Sequence, residues 1–269
     1  MIRALISLPI VNPLLLGTLR LLKIDSPWVR ERFFRVGPYK RNGIWFIGRN
    51  WSDLAATYWG DWLDFEPEMS KFYYDDLQPG MTVLDVGASL GYYSMLAASK
   101  ACRVFAFEPS TKTRMLLLDH LARNHFNVTI VPMALANEVG YADLHFAHGS
   151  EIDSGASLDP IYGSEKRERV RVSTIDQFVD YYGLEAVDVM KIDVERLEPK
   201  VLAGAANTIN RFRPIIYCEV LPQTDKEAIE AALPGYRLEH LTEDGPIAKA
   251  RLEPDPNELF RNYRFIPEK

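Results

Sequence analysis

The sequence predicts an α/β fold, a doubly wound, mostly parallel sheet with helices on both faces and an antiparallel hairpin at one edge. Short apolar runs that suit buried strands alternate with segments of helical spacing, each roughly ten to fifteen residues long. The last two apolar runs have too little chain between them for a helical crossover, which favours an antiparallel pair at the edge. The chain of 269 residues is long enough for one such core and an extension.

The first part of the alternation is predicted between residues 82 and 135. It consists of the strand "TVLDVG" (82–87), the helix "YYSMLAASK" (92–100), the strand "RVFAFEP" (103–109), the helix "STKTRMLLLDHLARNH" (110–125) and the strand "VTIVPMAL" (128–135). The turn "LQPG" breaks the chain before the first strand, and Ser110 or Thr111 can cap the second helix. The largely apolar strands are typical of strands that are buried on both faces.

Residues 137–173 interrupt this alternation and form a predicted insertion with hairpin character, a candidate lid over the site. The alternation then resumes with the helix "TIDQFVDYYG" (174–183), the strand "VDVMKIDV" (187–194), the helix "EPKVLAGAANTINRF" (198–212), the strand "PIIYCEV" (214–220) and the helix "TDKEAIEAAL" (224–233). The segments "YRLEHLT" (236–242) and "NYRFIPEK" (262–269) form the predicted closing pair.

Charge divides the chain into a basic extension, residues 1–50, and an acidic main domain, residues 51–269. The first 49 residues carry nine lysines and arginines against two acids, although the whole chain has a net charge of −6. An acidic domain argues against nucleic-acid binding, because neutralising phosphates requires clustered cations. Between the two parts, "GIWFIGRN" predicts a short strand, and the aromatic and acidic residues 51–75 predict a helix that covers one edge of the domain.

The apolar segment from Ala4 to Leu19 is too short, and too interrupted by Pro9 and Pro13, to predict a membrane-spanning helix. It also lacks a convincing signal-peptide cleavage site. Two interpretations stay open: the segment packs on its own domain or on a second copy in a homodimer, or residues 1–35 contact a membrane surface. The two cysteines fall in apolar runs, which favours buried thiols and a cytoplasmic protein, with membrane association at the N-terminus as the alternative.

Three acidic residues stand at the carboxyl ends of predicted strands: Asp85, Glu108 and Asp193. Each alone is explained equally well by a turn or a helix cap. Together they indicate a ligand site, because ligands of open α/β sheets bind outside the carboxyl ends of the strands. The spacing between Asp85 and Glu108 places the second acid where it can accept hydrogen bonds from a ribose diol over the first turn.

The glycines of the first turn distinguish between nucleotides. The turn has the pattern Gly87-Ala-Ser-Leu-Gly91, which lacks the G-x-G-x-x-G spacing of a dinucleotide site, and no Lys-Ser/Thr pair follows as in a P-loop. The site therefore suits a nucleoside without phosphate, with an amino-acid moiety lying against Gly87 and its ammonium, or a bridging water, near Asp85. S-adenosylmethionine combines these two parts, and we expect it to be the cofactor.

The segments "VLDVGASLGYYS", "FAFEPS" and "VDVMKIDVERLEPKVLAGA" followed by "RPIIYCEV" resemble the FkbM family of methyltransferases. The resemblance runs from about Trp59 to Val220. It implies the class I, Rossmann-like methyltransferase fold, bound S-adenosylmethionine, and O-methylation of small molecules, natural products or sugars. Two positions depart from the family pattern, with Ser89 where the family usually has Asn and Arg196 where it usually has Gly. The second departure adds bulk and charge at the mouth of the site.

The expected site residues fall into two groups. The expected cofactor-binding residues are Asp85, Gly87, Ala88, Ser89, Gly91, Tyr92, Glu108, Pro109, Ala134 and Asp193. The expected catalytic residues are Asp193, Glu195 and His148, because a hydroxyl acceptor needs a base as its new bond forms. Lys191 is expected to form a structural ion pair.

Glu219 is expected to face Asp193 across the cleft. With Glu195, these carboxylates offer a site for a divalent cation, although hydrogen bonding to substrate or backbone is the favoured interpretation and no metal is assigned.

Two other classes of function compete with a methyltransferase. A non-catalytic cofactor-binding or membrane-associated scaffold is conceivable because of Arg196 and the basic N-terminus. A dinucleotide oxidoreductase is disfavoured by the glycine spacing. The sequence does not identify the methyl acceptor.

Overall fold

A single eight-stranded sheet organises the main domain. The computed structural model describes residues 39–41, 44–46, 66–146, 155–160, 165–242, 244–253 and 261–268. Its strands are β1 (Tyr39–Arg41), β2 (Ile44–Phe46), β3 (Thr82–Val86), β4 (Arg103–Phe107), β5 (Val128–Val131), β6 (Ala134–Leu135), β7 (Gly140–His145), β8 (Arg167–Ser173), β9 (Val189–Ile192), β10 (Ile215–Val220), β11 (Tyr236–Thr242), β12 (Gly245–Lys249) and β13 (Arg261–Pro267). Its helices are α1 (Pro67–Asp76), α2 (Tyr92–Ser99), α3 (Thr111–Asn124), α4 (Ile175–Tyr182), α5 (Glu198–Ala203), α6 (Ala206–Phe212) and α7 (Lys226–Ala232).

The order of the strands across the sheet is β12-β11-β13-β10-β9-β3-β4-β5. Strands β10, β9, β3, β4 and β5 are parallel to one another. Strand β13 is antiparallel to both β10 and β11. The chain builds β3, β4 and β5 in one direction and then returns to add β9 and β10 on the other side of β3. The strand order therefore reverses between β3 and β9, which is where ligands of such sheets bind.

The central strands form because both of their faces are covered. All five residues of β3 and all four of β9 are buried. One face of the sheet packs on α4 to α7 through a cluster that includes Phe105, Phe107 and Met190, and the other packs on α1 to α3 through one that includes Tyr73, Met95 and Tyr217. Continuous apolar strands of this kind are what a doubly wound parallel sheet requires.

Helix caps follow the sequence closely. Ser110 caps α3 and Thr174 caps α4, and each side chain accepts a hydrogen bond from the backbone N–H three residues on.

The predicted helix 198–212 is instead two helices, α5 and α6, that meet at Gly204. A Cβ atom at Gly204 would lie 2.1 Å from the carbonyl oxygen of Ala136, so the break accommodates a close backbone approach.

The insertion 137–173 contains the predicted hairpin. Strands β7 and β8 pair in antiparallel fashion, and β6 joins β8 in a separate three-stranded sheet. The prediction of 128–135 as one strand was wrong, because the segment forms two strands, β5 and β6, in different sheets. Pro132 has no N–H to donate to the sheet, so the chain leaves the eight-stranded sheet after Val131 and joins the three-stranded sheet at Ala134.

The predicted closing pair is confirmed, because β11 and β13 are antiparallel neighbours. The edge itself differs from the prediction. β13 lies between β10 and β11, and β12, which the sequence pattern did not reveal, pairs with β11 as the outer hairpin. β12 is largely exposed, so it lacks the apolar signal of the other strands.

Several expectations concern the N-terminal part of the chain. The short strand in 43–50 is confirmed as β2, which pairs with β1, and the end of the helix in 51–75 is confirmed as α1. The expectations for residues 1–35 lie outside the described residues. None of the helices in the described ranges has the length and apolar character that a membrane crossing requires. Both cysteines are free and buried, as predicted.

Candidate functional site

A cavity opens at the carboxyl ends of β3, β4 and β9, at the point where the strand order reverses. Its lining consists of Val86, Gly87, Ala88, Ser89, Leu90, Tyr92, Tyr93, Phe107, Glu108, Pro109, Thr113, Met133, Ala134, Leu135, Leu144, Ala156, Ser157, Leu158, Lys191, Asp193, Val194, Glu195 and Leu197. Eight of the ten expected cofactor-binding residues are in this set, as is the expected catalytic residue Glu195.

The turn after β3 is packed closely against the turn after β9. Gly87 has a φ of 80°, and a Cβ atom there would lie 1.9 Å from the carbonyl oxygen of Asp193. The N–H groups of Gly87 and Ala88 both donate to the carbonyl of Phe107, and that of Ser89 donates to Glu108. These three N–H groups are therefore engaged within the protein and do not point a nest of donors at a phosphate.

Glu108 follows β4 and faces the cavity, although its side chain is held by the backbone. Its Oε2 accepts from the N–H of Ser89 at 2.9 Å, and its Oε1 accepts from the N–H of Ser110 at 2.8 Å. Burial raises the pKa of Glu108 to about 7, against the lowering effect of these hydrogen bonds. Each oxygen keeps a further lone pair, so the carboxylate can accept two hydroxyl groups of a ribose.

Asp85 and Gly91 do not line the cavity, so the expected contact of both residues with the cofactor stays a prediction. Asp85 is fully buried behind the lining, where its Oδ2 accepts from Ser94 Oγ at 2.5 Å. Burial raises the pKa of Asp85, although Lys191 lowers it. At Gly91, a Cβ atom would lie 2.1 Å from Leu117 Cδ1, so this glycine permits the start of α2 to pack on α3. Both residues contact the elements behind the turn, Asp85 through Ser94 of α2 and Gly91 through Leu117 of α3.

Lys191 lies under the cavity and forms the expected ion pair. Its side chain is 4% exposed, and its Nζ lies 2.8 Å from Asp193 Oδ2 and 5.0 Å from the centre of the Tyr93 ring. Burial alone lowers the pKa of Lys191, but Asp193, Asp85 and Glu66 outweigh it and leave the pKa above its usual range. The lysine therefore stays protonated and places a positive charge beneath the cavity.

Carboxylates gather on the side of the cavity next to β10. Asp193, Glu195 and Glu219 can bring one oxygen each within 4.8 Å of one another, so Glu219 faces Asp193 as expected. Burial, followed by the charge of Asp193, raises the pKa of Glu219 well above its usual range. A hydroxyl proton released here would meet an acceptor whose proton affinity is higher than that of an ordinary carboxylate.

Glu66 belongs to the same acidic region, although no pattern in the sequence singled it out. It accepts a hydrogen bond from the hydroxyl of Tyr93 at 2.6 Å. Burial, followed by the charge of Asp193, raises its pKa to about 7. Its position just before α1 brings it to the site from a part of the chain that is distant in sequence.

Comparison with known proteins shows the family of this chain. The methyltransferase FkbM domain matches residues 85–246, which is more than half of the chain.

The chain belongs to the FkbM methyltransferase family. It is 31% identical over 164 residues to the AMB antimetabolite synthetase AmbE of Pseudomonas aeruginosa, a match that covers 48% of this chain and 8% of AmbE. It is 25% identical over 155 residues to the hexuronic acid methyltransferase AglP of Haloferax volcanii, covering 56% of this chain and 61% of AglP. The chain therefore spans less than two thirds of the length of these relatives.

A solved structure of methyltransferase FkbM from Methylobacillus flagellatus is 15% identical in sequence and has a TM-score of 0.47. That comparison covers 72% of this chain and 50% of the other.

The FkbM pattern explains why the position of Arg196 is unusual. Glu195 and Arg196 have φ values of 56° and 77°, in the left-handed region that favours glycine. Glycine, which the resemblance in the sequence implies at the second position, adopts this conformation without strain. Within the described part of the chain, the buried Nε of Arg196 has no hydrogen-bond partner. Arg196 does not line the cavity.

Part of the predicted lid contributes to the lining of this FkbM-family site. Ala156, Ser157 and Leu158 line the cavity, and Ser157 Oγ donates to the carbonyl oxygen of Glu195 at 2.9 Å. Sequence reasoning did not select Ser157, and its only signal was its place in the insertion. His148 lies outside the described residues, so its expected role stays a prediction.

Proposed function

We propose that this FkbM-family protein binds S-adenosylmethionine and transfers its methyl group to a hydroxyl group of a small molecule, natural product or sugar. The observation that carries this proposal is the cavity at the strand-order reversal, which is lined by Glu108 and by the adjacent turn at Gly87. Glu108 can accept hydrogen bonds from the two hydroxyl groups of a ribose, while the N–H groups of residues 87–89 are engaged within the protein. The site therefore fits a nucleoside that carries an amino acid.

S-adenosylmethionine supplies an electrophilic methyl group on a sulfonium. The residues of the chain that would hold it are Gly87, Ala88, Ser89, Tyr92, Glu108, Pro109, Ala134 and Asp193. Asp85 and Gly91 would act indirectly, by shaping the turn from behind. The lining limits access of water and aligns acceptor and donor, which is the main requirement of an in-line displacement.

The carboxylates near β10 would receive the proton of the acceptor hydroxyl. Asp193 and Glu195 line the cavity, and the ammonium of Lys191 pairs with Asp193 at 2.8 Å. Glu219 lies beside them and provides a further proton acceptor. His148 remains a candidate base in the insertion. We propose no metal for this step, because hydrogen bonds from substrate to these carboxylates account for their placement equally well; unchanged turnover in EDTA is the expected result.

The names of curated relatives support hydroxyl acceptors. They include a hexuronic acid methyltransferase, a 2-O-methyltransferase of Sinorhizobium fredii and a 31-O-demethyl-FK506 methyltransferase of Streptomyces tacrolimicus. We propose that the acceptor belongs to the same broad class. Incubating the protein with methyl-labelled S-adenosylmethionine and a fractionated cell extract, and then identifying the labelled product, tests this directly.

Ligand-dependent thermal shifts test the cofactor assignment at low cost. We expect S-adenosylhomocysteine to raise the unfolding temperature of the wild type, and NAD to leave it unchanged, because binding to the folded state alone stabilises it. A Glu108→Ala variant should lose most of the shift. Stabilisation by NAD, or by neither ligand, would contradict the proposal.

A further inference from the structure

The turn from Asp193 to Arg196 holds two cavity-lining carboxylates in an unfavourable backbone conformation. Glu195 and Arg196 are consecutive residues with positive φ, which residues other than glycine adopt at a cost in free energy. Such a turn persists only where its surroundings fix it. The contacts around it therefore determine where the carboxylates of Asp193 and Glu195 lie.

Glu198 makes the most direct of these contacts. Its side chain is fully buried, and its Oε1 accepts hydrogen bonds from the N–H of Val194 at 3.1 Å and from the N–H of Arg196 at 3.2 Å. One carboxylate oxygen thus connects two alternate N–H groups of the turn. Its other oxygen, Oε2, is buried and has no hydrogen-bond partner among the described residues. The polar contacts of this carboxylate are therefore directed at the turn.

Two other contacts limit the turn from opposite sides. Gly87 lies against the carbonyl oxygen of Asp193, leaving no space for a side chain. Ser157, from the insertion, donates to the carbonyl oxygen of Glu195 at 2.9 Å. These contacts restrain carbonyl groups, whereas Glu198 restrains N–H groups, so Glu198 has a distinct role in the turn.

We propose that Glu198 is a positioning residue that holds the 193–196 turn in its left-handed conformation and so sets the carboxylates of Asp193 and Glu195 at the acceptor end of the cavity. The inference rests on the proposed function only for the identity of the bound ligand, since the contact between Glu198 and the turn is independent of it. Glu198 itself does not line the cavity. Its effect on the site must pass through the turn.

The test uses the full-length protein and two measurements. Hydrogen exchange, followed by mass spectrometry of a peptide spanning residues 190–197, reports on the turn. Calorimetric titration with S-adenosylhomocysteine reports on the site. We expect Glu198→Ala to accelerate exchange in that peptide and to weaken ligand affinity about tenfold, because two N–H groups of the turn lose their acceptor. Glu198→Gln, which keeps a weaker neutral acceptor, should give a smaller change of about threefold.

Arg196→Gly provides a rescue that a merely structural role would not show. Glycine adopts the φ of 77° without strain, so it should stabilise the turn when Glu198 is weakened. We expect Glu198→Gln/Arg196→Gly to recover slow exchange and most of the affinity, relative to Glu198→Gln alone. If Glu198 only stabilises the fold, Arg196→Gly will restore neither.

Asp176→Asn is a matched control. The carboxylate of Asp176 accepts hydrogen bonds from the N–H groups of Asn207 and Thr208 at 3.0 and 2.8 Å, but it does not line the cavity. Loss of this carboxylate should accelerate hydrogen exchange near α6. Hydrogen exchange in the 190–197 peptide and affinity for S-adenosylhomocysteine should stay unchanged.

The outcomes separate this inference from the proposed function. A wild type that does not bind S-adenosylhomocysteine contradicts the proposed function, and the exchange measurement still tests the turn. If the wild type binds S-adenosylhomocysteine and Glu198→Ala has the same affinity and the same hydrogen exchange in the 190–197 peptide, the inference is wrong.

Discussion

The ammonium of Lys191 lies 2.8 Å from a carboxylate oxygen of Asp193, and it is almost completely buried beneath the cavity. Lys191 is also the register partner of Asp85 in β3 and of Tyr217 in β10. One cation thus lies among Asp193, Asp85 and Glu66, which together raise its pKa against the effect of burial. This positive charge offsets the repulsion among the acids of the site.

Lys191→Met should therefore destabilise the protein substantially. Removing one partner of a buried pair leaves uncompensated carboxylates, and we expect a loss of about 3 kcal/mol in the free energy of unfolding at neutral pH. Lys200→Met is the control, because Lys200 pairs with Asp159 at 3.6 Å while both side chains are about half exposed. That change should cost less than about 1 kcal/mol. Urea unfolding of both variants measures the difference, and equal losses would contradict the role given to Lys191.

Gly87→Ala should remove ligand binding and destabilise the fold. The new Cβ atom would overlap the carbonyl oxygen of Asp193, so the turns after β3 and β9 must separate, at an expected cost of at least about 3 kcal/mol in the free energy of unfolding. Gly80→Ala isolates the effect of backbone strain, because Gly80 has a φ of 86° but no neighbouring atom within 4 Å of the position that the new methyl group would take. It should cost about 1 kcal/mol and leave affinity for S-adenosylhomocysteine intact. Similar behaviour of the two variants would show that the close approach is unimportant.

Affinity for S-adenosylhomocysteine should fall as the pH falls through about 7. Burial raises the pKa of Glu108 to about 7, and the ionised form is the better acceptor for two ribose hydroxyls. Ligand binding therefore favours deprotonation, and about a tenth of the free protein is ionised at this residue at pH ~6. We expect affinity to be up to about tenfold weaker at pH ~6 than at pH ~8. Glu108→Gln should bind weakly at both values, so a wild-type slope that persists in this variant would assign the titration to another group.

Asp193→Asn should separate binding from chemistry. The amide oxygen can still accept from Lys191, so affinity for S-adenosylhomocysteine should change little, whereas loss of the carboxylate should slow methyl transfer by about 100-fold. Once the acceptor is identified, initial rates measure this effect, with the exposed Glu227→Gln as the control. Full turnover by Asp193→Asn would remove Asp193 from the catalytic residues.

Much of the fold was predictable because strands that are buried on both faces leave continuous apolar runs. The parallel strands β3, β4, β9 and β10 were all located in this way. The errors had different causes, one local and one tertiary. Pro132 divided one predicted strand, and the approach of Ala136 to Gly204 divided one predicted helix. The exposed strand β12 had no apolar pattern to detect.

The candidate site was predictable where a residue ends a strand. Glu108 and Asp193 follow this rule, and both line the cavity. Asp85 was selected by the same rule, yet it lies within β3 and behind the lining, where its carboxylate accepts a hydrogen bond from Ser94 of α2. Glu66 and Glu198 were missed, since charged residues are usually exposed and only the folded structure shows that Glu198 is buried and Glu66 is partly buried.

We expect the cavity to bind the nucleoside of S-adenosylmethionine through Glu108, with the sulfur directed toward Asp193. A crystal structure of the protein with S-adenosylhomocysteine tests this central claim most directly. We predict both ribose hydroxyls within hydrogen-bonding distance of the Glu108 carboxylate and the sulfur on the side of the cavity where Asp193 and Glu195 lie. A ribose bound away from Glu108, or a ligand outside this cavity, would contradict it.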